Sequence, residues 1–179
     1  MLPLINKSWK RLWEEDLHPY RALRREMAFV MVAHAAYPAV TKTGIPASLS
    51  IKWIADILRR KIGYRGLVVS DDLEMGGVQA AAPIDEAAVD TLRAGADMFL
   101  VCHNEAHVWR TYEAVVREAE QDPKFARQVA TAARRVMAFK KKARELKTSA
   151  PRPSAITVRK LRDRMQRFAD QVQKAAVVL

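Results

Sequence analysis

Gly66-Leu67-Val68-Val69-Ser70-Asp71-Asp72-Leu73-Glu74-Met75-Gly76 is an apolar run of strand length that ends abruptly in two adjacent carboxylates. Leu67, Val68 and Val69 are the residues a strand buried on both faces requires. Arg65-Gly66 before the run and Gly76-Gly77 after it are turn signals. Parallel α/β sheets keep their chemistry at the carboxyl edge, where strands give way to loops. Asp71 sits at such an edge and is the first candidate for a catalytic group. A helix N-cap accounts for the same residues: Ser70 or Asp72 can cap the helix that follows. Spacing alone leaves both readings open.

Two further stretches repeat the pattern on either side. Phe29-Val30-Met31-Val32-Ala33 is an apolar run ending at His34, and Met98-Phe99-Leu100-Val101-Cys102 is one ending at His103-Asn104. Helical patterns separate them. Residues 8–27 carry Trp9, Leu12, Trp13, Leu17 and Tyr20, with Pro19 a break or restart. Ser48 or Ser50 can cap a helix over about 50–62, with Ile51, Ile54, Ile57 and Leu58 on one face and Gly63 ending it. Residues 73–82 carry no clear periodicity. Asp85 can cap a helix through Ala94 with Ala88, Val89 and Leu92 inward, and Gly95-Ala96-Asp97 turns the chain. Helices over about 105–120 and 124–146 complete the body. Strands alternating with helices argue for parallel βα units. Parallel units in one sheet bring His34, Asp71-Asp72 and His103-Asn104 to the same edge. A hydrogen-bonded loop histidine is the competing account of His34 and of His103.

The chain of 179 residues is long enough for one domain but short for a complete eight-unit barrel, which takes about 250 residues. Cys102 is the only cysteine, which excludes an intrachain disulfide and a cysteine-rich zinc site. No apolar run reaches the length of a membrane span, and residues 1–7 lack a signal peptide's apolar core. A cytoplasmic location is the expectation. Residues 1–133 hold 17 Lys/Arg and 17 Asp/Glu, so the net charge of +11 lies entirely in residues 134–179. Residues 147–158 read as a linker. Residues 158–178 read as a basic amphipathic helix with Leu161, Met165, Phe168 and Val172 on one face. A solvated or loosely docked helix is the favoured reading of this tail. It lacks the aromatic-interleaved basic surface of a nucleic-acid binder.

Four motifs in order resemble glycoside hydrolase family 3, in particular its β-N-acetylhexosaminidase branch. FVMVAHAAYP (29–38), IPASLS (45–50), GYRGLVVSDDLEMG (63–76) and GADMFLVCHN (95–104) carry the resemblance, which covers about residues 2–146. It implies a partial (β/α)8 TIM barrel: about three C-terminal βα units plus C-terminal helices over residues 1–146, followed by the linker and basic tail over 147–179. It implies hydrolysis of terminal β-linked N-acetylglucosamine with retention. The first Asp after the strand in that family is the nucleophile, which maps onto Asp71. His34, Asp72 and Met75 would lie near the sugar. No metal or organic cofactor is implied.

The family pattern is not complete. Its acid/base is a His paired with an Asp on an earlier loop, in a Lys-His-Phe/Ile-Pro-Gly-His-Gly segment followed by Asp-Thr and Asp-Ser-His. That segment is absent from these residues. Leu2-Pro3 resembles the continuation beyond that loop, so the first five or so βα units are expected to be missing. A half barrel leaves two sheet edges open. The resemblance therefore implies either an N-terminal half-barrel partner or self-association, or else an inactive remnant that serves as an interaction module.

Overall fold

The computed structural model describes residues 2–41, 44–143 and 151–176. The chain divides into two compact units, Met1–Lys141 and Lys142–Leu179. A boundary expected at 146/147 lies outside the described residues, as does the end expected at 146 for the body's last helix.

The first unit is built on three parallel strands, β1 (Phe29–Val32), β2 (Leu67–Asp72) and β3 (Met98–Leu100), in the order β1-β2-β3. Phe29 pairs with Leu67 and Val32 with Ser70. On the other side Val69 pairs with Met98 and Asp72 with Leu100. A helix follows each strand. The helix after β1 spans Lys52–Lys61, α1 after β2 spans Ile84–Ala94, and α2 after β3 spans Glu105–Gln121. A further helix, α3 (Pro123–Lys142), closes the unit. The second unit contains α4 (Ala155–Ala176), where Ser154 caps by accepting the Thr157 N–H at 3.1 Å.

Two glycines are required by position. A Cβ on Gly66 would come within 2.8 Å of the Ala28 carbonyl oxygen and closer still to the Tyr64 ring, so only glycine lets the chain enter β2 here. Gly95 has φ 107° and closes α1 in the left-handed region.

The core lies between sheet and helices. Val30 and Val68 pack with Trp53, Ile54, Ile57, Leu58 and Tyr64 in one cluster. Leu73, Val78, Ile84, Ala87 and Ala88 form another, covered by Phe99, Val101 and Val115. Each large apolar side chain buried in this way contributes about 1.5–3 kcal/mol. At the amino edge of the sheet the Asp97 carboxylate is fully buried. It accepts hydrogen bonds from Arg59 at 2.5 Å, the Val68 N–H at 2.9 Å and Arg135 at 3.0 Å. One side chain thus ties β2 to the Lys52–Lys61 helix and to α3.

Several sequence expectations are corrected here. Residues 8–27 are not one helix but short helical segments at Trp9–Arg11, Leu12–Asp16 and His18–Ala22, with Pro19 starting the last. Ile51 is exposed instead of sharing the buried face of the next helix. That helix is wound in the wider i→i+5 form, as in the Ile62 N–H to Ile57 C=O bond of 2.8 Å. Trp53, Ile54, Ile57, Leu58 and Ile62 share its buried side. Ser50 does serve its start, accepting the Trp53 N–H at 3.4 Å. Asp85 does not cap α1, which begins after Pro83; it pairs instead with Arg110 at 2.9 Å. Ala88 and Leu92 are buried and Val89 half-buried on the inward face of α1, and Ala87 is fully buried beside them. The third strand stops at Leu100, and residues 155–158 of the expected linker are helical.

Candidate active site

The carboxyl ends of the three strands converge as the parallel arrangement requires. Between Val69 and Asp72 the pairing with β3 shifts, so that β2 holds one more residue than its partner. This bulge falls on Ser70 and Asp71. Bulges bend a strand locally and re-aim a side chain. Ser70 mends the ladder: its fully buried hydroxyl donates to the Asp71 carbonyl at 2.7 Å and accepts the Leu100 N–H at 3.4 Å. Asp71 is left half-buried. Its Oδ1 accepts the Asp72 N–H at 2.9 Å, and no cation pairs with it among the described residues.

Asp72 is buried and heavily engaged. Oδ1 accepts the Glu74 N–H at 3.1 Å, and Oδ2 lies 3.0 Å from His103 Nδ1. The Asp72 carbonyl accepts the Met75 N–H at 3.1 Å and lies 2.9 Å from His34 Nε2. A carbonyl only accepts, so Nε2 carries the proton there, and Nδ1 is hydrogen-bonded to the Ser48 hydroxyl, 2.7 Å away. His34 is therefore buried with both ring nitrogens in use, clamping the end of β1 to the end of β2. Met75 is exposed beside this rim, and His103 is exposed with Nδ1 turned to Asp72. The sequence-predicted group of His34, Asp71, Asp72, Met75 and His103 thus comes together around one strand end.

Glu74 did not stand out in the sequence, yet it organises the rim. Its carboxylate accepts the backbone N–H groups of Cys102 at 2.9 Å, His103 at 2.5 Å and Asn104 at 3.0 Å, and lies 2.8 Å from His107 Nδ1. Those N–H groups precede the first turn of α2, where donors lack intrahelical partners and the helix dipole favours an anion. Burial alone would raise the pKa of Glu74; the bonds from His107 and the three N–H groups overcome it and hold the group at about 2. The available clue was an acid three residues beyond Asp71, long enough to reach the neighbouring strand's loop. Asp72, Glu74 and His103 have donor atoms within 4.8 Å of one another, a spacing a divalent cation can use. Glu74 already has both oxygens taken by hydrogen bonds, so the cluster is complete as a hydrogen-bonded one.

The body is a run of three parallel βα units, the repeating unit of barrel folds, whose enzymes place their active sites at the carboxyl edge of the strands. The chain belongs to glycosyl hydrolase family 3: residues 1–139 match the model of the glycosyl hydrolase family 3 N-terminal domain. A beta-hexosaminidase of Neisseria meningitidis serogroup C is 44% identical over 104 residues, covering 58% of this chain and 28% of that protein. A family 3 β-N-acetylglucosaminidase from a Paenibacillus species superposes with TM-score 0.78 at 31% identity, over 86% of this chain and 29% of that one. The β-N-acetylglucosaminidase of Thermotoga maritima superposes with TM-score 0.72 at 34% identity, over 79% and 32%. The fold is thus a segment of the family's TIM barrel, and the chain spans under a third of each of these three relatives' length.

Proposed function

We propose that this chain carries the nucleophile-bearing βα units of a retaining β-N-acetylhexosaminidase, with Asp71 as the nucleophile. The observation that carries the reading is the contrast at the end of β2. Asp72 is tied by its carboxylate, while Asp71 is raised on a bulge with a single hydrogen bond. An ionised carboxylate at a rigid strand end is what attack on an anomeric carbon requires. Its oxygen bonds to that carbon as the bond to the leaving alcohol breaks and that alcohol takes a proton. Water then adds to the same carbon, gives up its proton and frees Asp71. The family resemblance supports the same residue, and the relatives named as β-N-acetylglucosaminidases support the substrate class.

Retention needs a proton donor about 5–5.5 Å from the nucleophile. We assign that donor, with most contacts to the sugar, to the preceding βα units of a family 3 barrel, completing the open edges of β1 and β3. His34, Asp72 and Met75 then shape the floor of the sugar site, His34 and Asp72 by holding strand ends and Met75 by contact.

The test uses an aryl β-N-acetylglucosaminide whose leaving group needs no proton. The purified chain is assayed alone and mixed with a separately made N-terminal half of a family 3 enzyme, beside Asp71→Ala. Turnover that depends on Asp71 supports the nucleophile, and dependence on the added half supports a shared barrel. Folded protein with no turnover in either mixture sinks the enzymatic reading and leaves an inactive interaction module.

A further inference from the structure

The amino edge of the sheet, opposite the end that bears Asp71, carries a groove of about 480 Å³ beside Gly95 and Ala96. Six cationic side chains line it: Arg59, Arg60, Arg65, Lys124, Arg127 and Arg135. No carboxylate is among its lining residues. Two acids answer these charges from behind, Asp97 with Arg59 and Arg135, and Asp56 with Arg60. Arg65, Lys124 and Arg127 are exposed and make no ion pair among the described residues. Five of the six lie within residues 1–133, which are neutral by count, so those five are gathered here by placement and not by composition.

Like charges gathered in a concave site repel one another and focus a positive potential outward. The charge is mostly arginine, whose planar fork matches paired phosphate oxygens, whereas ammonium groups act as point charges. Gln128 and Thr131 add neutral polar groups to the wall, and the volume suits a small molecule. Asp97 holds Arg59 and Arg135 in fixed positions, which lowers the ordering cost of binding.

We propose that this groove binds a small molecule bearing phosphate groups, with Arg65, Lys124 and Arg127 supplying charge that makes no ion pair among the described residues. The site shares no residue with the Asp71 edge and stands independently of the hydrolytic reading.

The full chain is titrated with inorganic tripolyphosphate by calorimetry and by amide chemical shifts, at fixed ionic strength. Saturable one-to-one binding with shifts at 59–65 and 124–135 is expected. Arg65→Ser with Arg127→Ser should weaken it at least about tenfold per contact removed. Arg65→Lys with Arg127→Lys keeps the charge and removes the fork, and should weaken it less. Arg162→Ser with Arg164→Ser, in α4, should leave it unchanged. Urea midpoints establish that each variant is folded. Absence of saturable binding overturns the proposal. So does loss with the α4 variant, indifference to the groove variants, or equal binding of citrate, which would mean recognition of charge without phosphate.

Discussion

Asp71 and Asp97 stand at opposite ends of the same sheet and are treated in opposite ways by the fold. Asp97 precedes β3, is wholly buried, and has both oxygens satisfied by two arginines and a backbone N–H. Asp71 ends β2, is half-buried, and accepts one N–H from the residue beside it. A carboxylate saturated with fixed donors holds elements together and has no lone pair to offer. A carboxylate held at one oxygen keeps the other for a reacting atom. The difference is one of unsatisfied capacity and not of burial alone.

The largest effect that can test this contrast is on rate. Asp71→Ala should lower turnover of the activated glycoside by roughly 10⁴–10⁶-fold, the range lost when a nucleophile or its partner is removed from a concerted unit. Its unfolding free energy should move by only about 0.5 kcal/mol, as for other substitutions that break no buried network. Turnover and a urea midpoint on the same preparation check both. An Asp71→Ala chain that lost activity and stability together would abolish the distinction.

Asp97→Ala should do the reverse. Removing the acid leaves Arg59, largely buried, without its counter-charge, and breaking such a pair costs about 3–5 kcal/mol. The check is urea unfolding of Asp97→Ala beside Asp97→Asn, which keeps the shape and loses the charge. A loss under about 1 kcal/mol in both would put the pair in the class of surface salt bridges and remove the argument for Asp97 as a tie. A smaller loss is expected from Gly66→Ala. Its Cβ would meet the Ala28 carbonyl and the Tyr64 ring, and overpacking of this kind costs about 1–3 kcal/mol; a thermal midpoint reads it.

The two aspartates were not equally legible. Asp71 stood out because an apolar run ended in it, and three such runs in one chain placed their polar ends on a shared edge. Its bulge was not legible, because the extra residue shows only against the register of β3. Asp97 read as part of a turn, since nothing local tells that its partners come from residues 38 positions away on either side. Ile51 shares the apolar spacing of Ile54, Ile57 and Leu58, but it stands at the N-cap of that helix, and nothing local shows that it lies exposed ahead of the buried run. His34 was placed at the right edge, but only the structure shows both its nitrogens engaged with Ser48 and Asp72. Long-range hydrogen bonds and register are the features a single sequence hides.

Glu74 sharpens the comparison, because it shares the carboxyl edge with Asp71 and the saturation of Asp97. If capacity and not location decides the role, Glu74 must behave structurally. Its pKa is held at about 2, below the ordinary 4.5, so the folded state favours the charged form. The stability it contributes is complete above its ordinary value and is lost as pH falls from about 4.5 towards about 2. Glu74→Gln should flatten that part of the acid unfolding curve and leave the slope at neutral pH unchanged. The amides of Cys102, His103 and Asn104, which donate to Glu74, should exchange faster with solvent in the variant, while those of β2 keep their protection. Denaturant unfolding from pH 6 to pH 2, with amide exchange at neutral pH, measures both. Unchanged acid sensitivity together with unchanged exchange would mean that the loop before α2 holds its shape without the acid. Saturation would then be a consequence of the rim's geometry and not its cause.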